Sequence, residues 1–203
     1  MNERERKEQT KPASLPDLAF YPVTAERWQD LQTLFGEHGA YGNCWCMWWR
    51  LSRSDFGKQT GQEKKQGLKT IMDSGEVPGI LAYSGREPIA WCSVAPREAF
   101  PSLERSRTLK RVDDQPVWSI VCFFVARSFR HQGLMVKMLE VAVEHAREHG
   151  AKIVEGYPVE AQGKNLPPVS NFTGVVSAFF QAGFVEVERR SERHPIMRYF
   201  IEQ

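Results

Sequence analysis

Six consecutive residues carry the most readable chemistry of the chain: Arg130-His131-Gln132-Gly133-Leu134-Met135. Before them, Val117–Val125 is an apolar and aromatic run, the pattern of a strand buried on both faces. After them, Met135, Met138, Leu139, Ala142 and Ala146 recur at spacings of three and four, which predicts a helix over Leu134–His149 with one apolar stripe. Gly150 supplies its C-terminal cap. A strand, a glycine turn and a helix together form an anion site. The first amides of a helix lack intrahelical acceptors, and the dipole makes that end partly positive. Gly133 removes the side chain that would hold a phosphate off the backbone, and Arg130 and His131 add donors. The same pattern also describes an ordinary strand-to-helix connection. A Walker loop is excluded because no Gly-Lys-Ser/Thr follows, and the dinucleotide G-x-G-x-x-G because its first two glycines are absent.

A second unusual stretch is Gly39–Leu51, G-A-Y-G-N-C-W-C-M-W-W-R-L, with three of the six tryptophans inside five residues. Tyr41, Trp45 and Trp48 are candidates for a pocket wall, and a bulky plug at one end of the core is the equal alternative. Cys44-x-Cys46 lacks the second ligand pair of a structural zinc site. Cys92 and Cys122 lie in apolar runs, so no metal is expected. A nucleophilic cysteine would need a base or a positive field, and none is identifiable from sequence.

The remaining elements must position these two stretches. Leu18–Val23 reads as a strand and Ala25–Glu37 as a helix with Trp28, Leu31, Leu34 and Phe35 inward. Gln62–Ser74 reads as a second helix. Pro78–Tyr83 and Ile89–Ala95 read as an antiparallel hairpin. Arg97–Gln115 is a long basic connection, either a solvated loop or a flap for phosphates or an acidic acceptor. Lys152–Tyr157 is a further strand, Pro158–Ser170 a loop with three prolines, Thr173–Ala182 a helix, and Val185–Arg189 and Ile196–Ile201 two closing strands.

Arg130, Gln132 and Gly133 match the [QR]-x-x-G-x-[GA] loop that binds the pyrophosphate of acetyl-CoA in the GNAT family of N-acetyltransferases, which the chain resembles. Met135 departs from the usual Gly or Ala. Phe179-Phe180-Gln181-Ala182-Gly183-Phe184 is similar to the family's Tyr-x-x-x-Gly-Phe, and the order of elements follows the family over roughly 17–202. The resemblance implies an α/β (α+β) GNAT fold: a mixed, mostly antiparallel sheet of six to seven strands, about four helices, and a splay between the fourth and fifth strands. It implies acetyl-CoA as acyl-donor cosubstrate, held by Arg130, His131, Gln132, Gly133, Leu134 and Met135, with Phe124 and Val125 meeting the pantetheine arm through their main chain. It implies direct attack by a primary amine lying against Tyr41, Trp45 and Trp48. The family's tyrosine acid is replaced by Phe179 and an asparagine seven residues earlier by Phe172, so the catalytic residues stay open. Glu155 and Glu160 are candidate bases by position, although strand alternation puts Glu155 toward solvent. A non-catalytic acyl-CoA sensor and a protein-interaction module remain alternatives.

Composition bounds the rest. The 203 residues fit one domain, 17–203, behind a charged tail, 1–16, expected to be disordered. A net charge of +2 does not suggest a nucleic-acid partner. No apolar run approaches the roughly 18 residues needed to span a bilayer. Four cysteines in a chain of this length, with no secretory signal, suggest a reducing cytoplasm. A homodimer is compatible with the resemblance.

Overall fold

The computed structural model describes residues 17–160 and 171–202. The expected tail, 1–16, and most of the proline-containing loop lie outside the described residues. The seven strands are β1 (Leu18–Pro22), β2 (Gly79–Ser84), β3 (Glu87–Pro96), β4 (Trp118–Val125), β5 (Ile153–Gly156), β6 (Val185–Arg189) and β7 (Pro195–Phe200). They form one sheet in the order β1-β2-β3-β4-β5-β7-β6. Every neighbouring pair is antiparallel except β4 and β5, which run parallel. This is the mostly antiparallel α/β fold expected.

The helices are α1 (Trp28–Phe35), α2 (Arg53–Lys58), α3 (Gly61–Asp73), α4 (Pro101–Glu104), α5 (Leu134–Glu148) and α6 (Val176–Gln181). Among the described residues there are six, three of them of six residues or fewer, where about four were expected. The first predicted helix divides into a 3-10 turn, Ala25–Arg27, and α1, which stops at Gly36 with φ +61°. Short α2 had no apolar stripe to announce it; it starts where Ser52 caps the amide of Asp55. A full capping box, Thr60 with Glu63, starts α3. The basic connection after β3 holds α4, with Pro101 in its first turn.

Sheet alternation sorts the core into two layers. Ile80, Cys92, Ile120 and Phe123 face α5 and α6, where Met138, Leu139, Ala142 and Phe179 are buried. Leu81, Trp91 and Tyr83 face the other way, onto Leu31, Phe35, Trp45, Leu68 and Met72. A third cluster, with Phe100, Leu103, Val121, Tyr157 and Ile196, closes one end.

The parallel pairing is short and decides where a site can form. Trp118, Ser119 and Ile120 pair with Val154, Glu155 and Gly156, and there β5 ends. From Val121 onward β4 has a strand partner on the β3 side alone. An unpaired strand edge inside a protein leaves amides and carbonyls that need partners. The N–H of Phe123 finds one in the carbonyl of Phe172, at 2.6 Å.

Candidate active site

The loop after β4 is built as an anion cradle. His131 and Gly133 take the left-handed conformation at φ +62° and +76°, and Gly133 is the residue that opens α5. A side chain at Gly133 would meet no atom within 4 Å, so the space in front of the helix start is open. The amides of His131, Gln132 and Gly133 donate to no other described residue, and those of Leu134 and Met135 open the helix without intrahelical acceptors. Five donors thus surround open space at the positive end of a 15-residue helix. The donor set fits a pyrophosphate.

That space is the mouth of a cavity of about 530 Å³. Phe124, Val125, Arg130, His131, Gly133, Leu134 and Met135 line it, as do Asn171 and Ser177. Gln132 does not: it is exposed, and its Nε2 donates to the carbonyl of Ser128 at 2.9 Å, which pins the turn. Arg130 donates Nε–H to the carbonyl of Val125 at 2.9 Å, tying the loop to the end of β4. Met135 is half-buried along the cavity wall.

A second cavity of about 390 Å³ lies on the other side of β4. Its wall is largely aromatic, with Phe35, Tyr41, Trp48, Phe56, Trp91 and Phe172. The segment feeding it is an irregular run of turns in which Gly39, Ala40, Gly42, Asn43, Trp45 and Cys46 all take positive φ. The four that are not glycine, Ala40, Asn43, Trp45 and Cys46, store strain of about 1 kcal/mol or more each, a feature that clusters at binding segments.

Trp45 corrects the expectation. It is 4% exposed, absent from the cavity lining, and packed against Trp28 and Phe35 at centroid distances of 5.9 and 5.7 Å. Gly39 lacks a side chain because one would strike the Trp45 indole at 2.4 Å. Trp45 is the plug, while Trp48 and exposed Tyr41 are the wall.

Three thiols reach this second cavity: Cys44, Cys46 and Cys122. Burial pushes Cys44 up to about 11, while the hydrogen bond to Cys46, and then burial, hold Cys122 well above the usual thiol range. Cys46 goes the other way. It accepts from Cys122 and from the Trp91 indole N–H at 3.2 Å, and the Arg50 charge lies nearby. These surroundings of Cys46 were invisible in sequence because two neutral donors and one charge come from three separate segments of the chain. Among the described residues no three His, Cys, Asp or Glu side chains converge as metal ligands.

The candidate bases lie elsewhere. Glu155 does not face solvent; it is 1% exposed and clamped between Arg97 Nη1 and Arg198 Nε, each at 2.8 Å. Tyr157 adds a third donor at 2.7 Å and in turn shares a hydrogen bond with Ser119. Strand alternation failed as a guide because both faces of β5 are covered. Arg97, expected in a solvated loop or a flap, is a buried anchor that also binds the Leu109 carbonyl and Glu104. Glu160 is bound to Arg189 on the surface and lines neither cavity.

Phe179 is fully buried and also lines neither cavity. Its ring fills the space that Gly156 and Gly174 leave, since a side chain on either would strike it at 2.2 or 2.7 Å. The polar groups along the first cavity that sequence reasoning missed are Asn171, whose Oδ1 is buried without a partner among the described residues, and the Ser177 hydroxyl. Neither belongs to a spacing pattern.

The two cavities meet. Phe123, Phe124, Arg130 and Phe172 line both. Phe123, Phe124 and Phe172 sit where β4 has lost β5, so the open strand edge is the wall that the two cavities share.

Comparison with known proteins agrees with this architecture. The family model described as the Acetyltransferase (GNAT) family matches residues 45–162. Similar solved structures include a GNAT-family acetyltransferase from Listeria monocytogenes, 8% identical with a TM-score of 0.56, covering 92% of this chain and 96% of that one. Another, from Streptococcus agalactiae, is 9% identical with a TM-score of 0.54, over 92% and 96%. PaiA N-acetyltransferase from Thermoplasma acidophilum, solved in complex with coenzyme A, is 11% identical with a TM-score of 0.50, over 91% and 99%. At these identities the likeness is one of fold. No curated protein matches the chain.

Proposed function

Because the chain belongs to the acetyltransferase (GNAT) family, we infer that it moves an acetyl group from acetyl-CoA to a primary amine. Residues 17–203 act as one acyltransferase domain. The pyrophosphate sits on the amides of residues 131–135, the pantetheine arm follows the main chain of Phe124 and Val125, and the thioester reaches the open edge of β4. The amine enters from the aromatic cavity, against Tyr41 and Trp48, and attacks the thioester carbonyl directly.

One observation carries this reading: a cavity fronted by unpartnered helix-start amides and a cavity walled by aromatic rings join at a single strand edge. Two reactants held on the two sides of that edge need no further encounter, and positioning of this kind can supply about 7–11 kcal/mol of a barrier. The carbonyl oxygen, as it gains charge, needs a donor, and the open β4 edge offers backbone N–H groups. Phe179 has no proton to give, so the departing CoA thiolate is protonated by water or by the Ser177 hydroxyl.

The absent acid also favours a second reading, an acyl-CoA-binding sensor without turnover. Calorimetric titration with acetyl-CoA, dephospho-CoA and NAD, followed by an amine screen for released CoA thiol, separates the two. Micromolar binding of acetyl-CoA with amide product supports the enzyme. Binding with no product from any amine supports the sensor. No binding removes both.

A further inference from the structure

The aromatic cavity has a charge pattern of its own. Among the described residues, no Asp, Glu or Lys lines it; its one ionised side chain is Arg130, a cation. Aromatic ring faces attract cations, so an aromatic wall by itself would suit an alkylammonium. Here the chain's own cations already lie against the rings of that wall. The Arg53 guanidinium lies 4.5 Å from the centroid of Trp48. The Lys64 ammonium lies 3.9 Å from that of Phe56. Behind the wall, Lys65 lies 5.1 Å from Trp45. Arg50 lies near Cys46 on the same side, with its Nε and one terminal nitrogen buried and without partners among the described residues. Glu76 acts on Arg50 from outside the cavity, but a second positive charge entering this space would meet like charges in an apolar, desolvating site with no carboxylate in its lining to offset either penalty.

The same site has no carboxylate to accept a proton. Glu155 is locked between two arginines, and Glu160 is held on the surface by Arg189. An alkylamine, like a lysine side chain with its pKa of about 10.4, is almost wholly protonated at pH 7 and must lose a proton before it can attack. An amine bonded directly to an aromatic ring is neutral at that pH, because its lone pair is delocalised. It is also flat and apolar, as the wall formed by Phe35, Trp48, Phe56 and Phe124 requires.

We propose that the acceptor is a weakly basic aromatic amine, neutral at physiological pH, that stacks in the aromatic cavity and attacks the thioester without a protein general base. This rests on the acetyl-transfer reading above. In the step, the amine nitrogen forms a bond to the acyl carbon as the bond from that carbon to the CoA sulfur breaks. The departing thiolate takes up the proton that the nitrogen gives up, through water or the Ser177 hydroxyl.

The test uses two isomers, 4-methylaniline and benzylamine, which differ mainly in whether the nitrogen is neutral or charged. With the full chain saturated by acetyl-CoA at pH 7, 4-methylaniline should be acetylated with a kcat/KM at least about tenfold higher. Its rate should be flat from about pH 6.5 to 8.5, while that of benzylamine climbs as its ammonium deprotonates. The Arg53→Glu variant, which puts a carboxylate against Trp48, should shift the ratio toward benzylamine with acetyl-CoA affinity unchanged. A preference for benzylamine or for a polyamine would overturn the proposal, as would an unchanged ratio in R53E. Transfer to neither isomer, with acetyl-CoA still bound by calorimetry, would overturn the acceptor class alone. Loss of acetyl-CoA binding itself would bring down the underlying reading and this one with it.

Discussion

The backbone N–H of Phe123 donates to the carbonyl of Phe172 across the gap where β4 has lost β5. This contact holds the Phe172 ring at the junction of the two cavities, both of which it lines. The Phe172→Ala variant keeps the backbone bond and removes the partition. We expect a modest stability loss of about 1–3 kcal/mol, since the ring is half-buried, together with a raised KM for small acceptors and new turnover of bulkier ones. Acetyl-CoA affinity should hold. Steady-state kinetics on a size series of amines would detect the change, and an unaltered size profile would remove Phe172 from the partition.

Gly133 is expected to matter for binding far more than for folding. Its φ of +76° makes any side chain strained, at about 1–2 kcal/mol, yet the added Cβ meets nothing within 4 Å. The clash therefore arises with the ligand. Gly133→Val should weaken acetyl-CoA at least tenfold, about 1.4 kcal/mol, with the melting temperature down by only a few degrees. Titration calorimetry beside a thermal scan separates the two effects. Unchanged affinity in the folded variant would end the pyrophosphate assignment.

Trp45 and Trp48, alike in sequence, should behave oppositely. Removing buried Trp45 empties a site packed by Trp28 and Phe35 and should destabilise the fold by about 3–5 kcal/mol. Trp48, half-buried on the cavity wall beneath Arg53, should instead raise the acceptor KM about tenfold with little loss of stability. Urea unfolding and acceptor kinetics on W45A and W48A check this contrast, and equal effects of the two variants on both measurements would refute it.

These contrasts mark what the sequence could express. Local signals were legible. The apolar run of β4, the stripe of α5 and the turn at Gly133 are each written in consecutive residues, and the cavity in front of Gly133 followed from them. The two-layer core was legible as well, since strand alternation and helix periodicity report it. What stayed hidden was made by contacts distant in sequence. Trp45 and Trp48 differ only in which way a strained loop turns them. Cys46 gains its environment from Cys122, Trp91 and Arg50, on three separate elements. Glu155 meets Arg97 and Arg198, 58 and 43 positions away. Short α2 buries no residue, so no hydrophobic period foretold it.

Glu155 supplies a prediction that distinguishes structure from catalysis. Removing its charge leaves Arg97 and Arg198, at 1% and 3% exposure, without their shared counter-ion. Breaking a buried pair of this kind typically costs about 3–5 kcal/mol. Glu155→Gln should therefore lower stability by that order while the specific activity of the remaining folded protein stays near that of the parent. A normal melting temperature with activity lost would make Glu155 the general base after all. Denaturant unfolding paired with activity per folded molecule decides between them.

Acid sensitivity should trace in part to His145. The residue is 7% exposed, its ring packs edge-on to Trp118 and tilted against His149 at 5.6 and 4.4 Å, and its buried Nε2 has no partner among the described residues. Burial first, and then the charge of His149, depress it to about 4. The folded pKa lies below the unfolded value of about 6.5, so the neutral ring suits both states above that pH and the folded state resists protonation below it. Stability is thus whole above about pH 6.5 and declines as pH falls toward 4, by about 1–2 kcal/mol once partial solvent access is allowed for. His194 is depressed in the same direction by burial and by Arg193, so it contributes to the same slope. His145→Leu, which keeps the packing and removes the titration, should flatten a good part of that decline but not all of it. Melting temperatures measured from about pH 7.5 down to 4.5 on parent and variant would show it, and parallel curves would clear His145 of any part in the acid response.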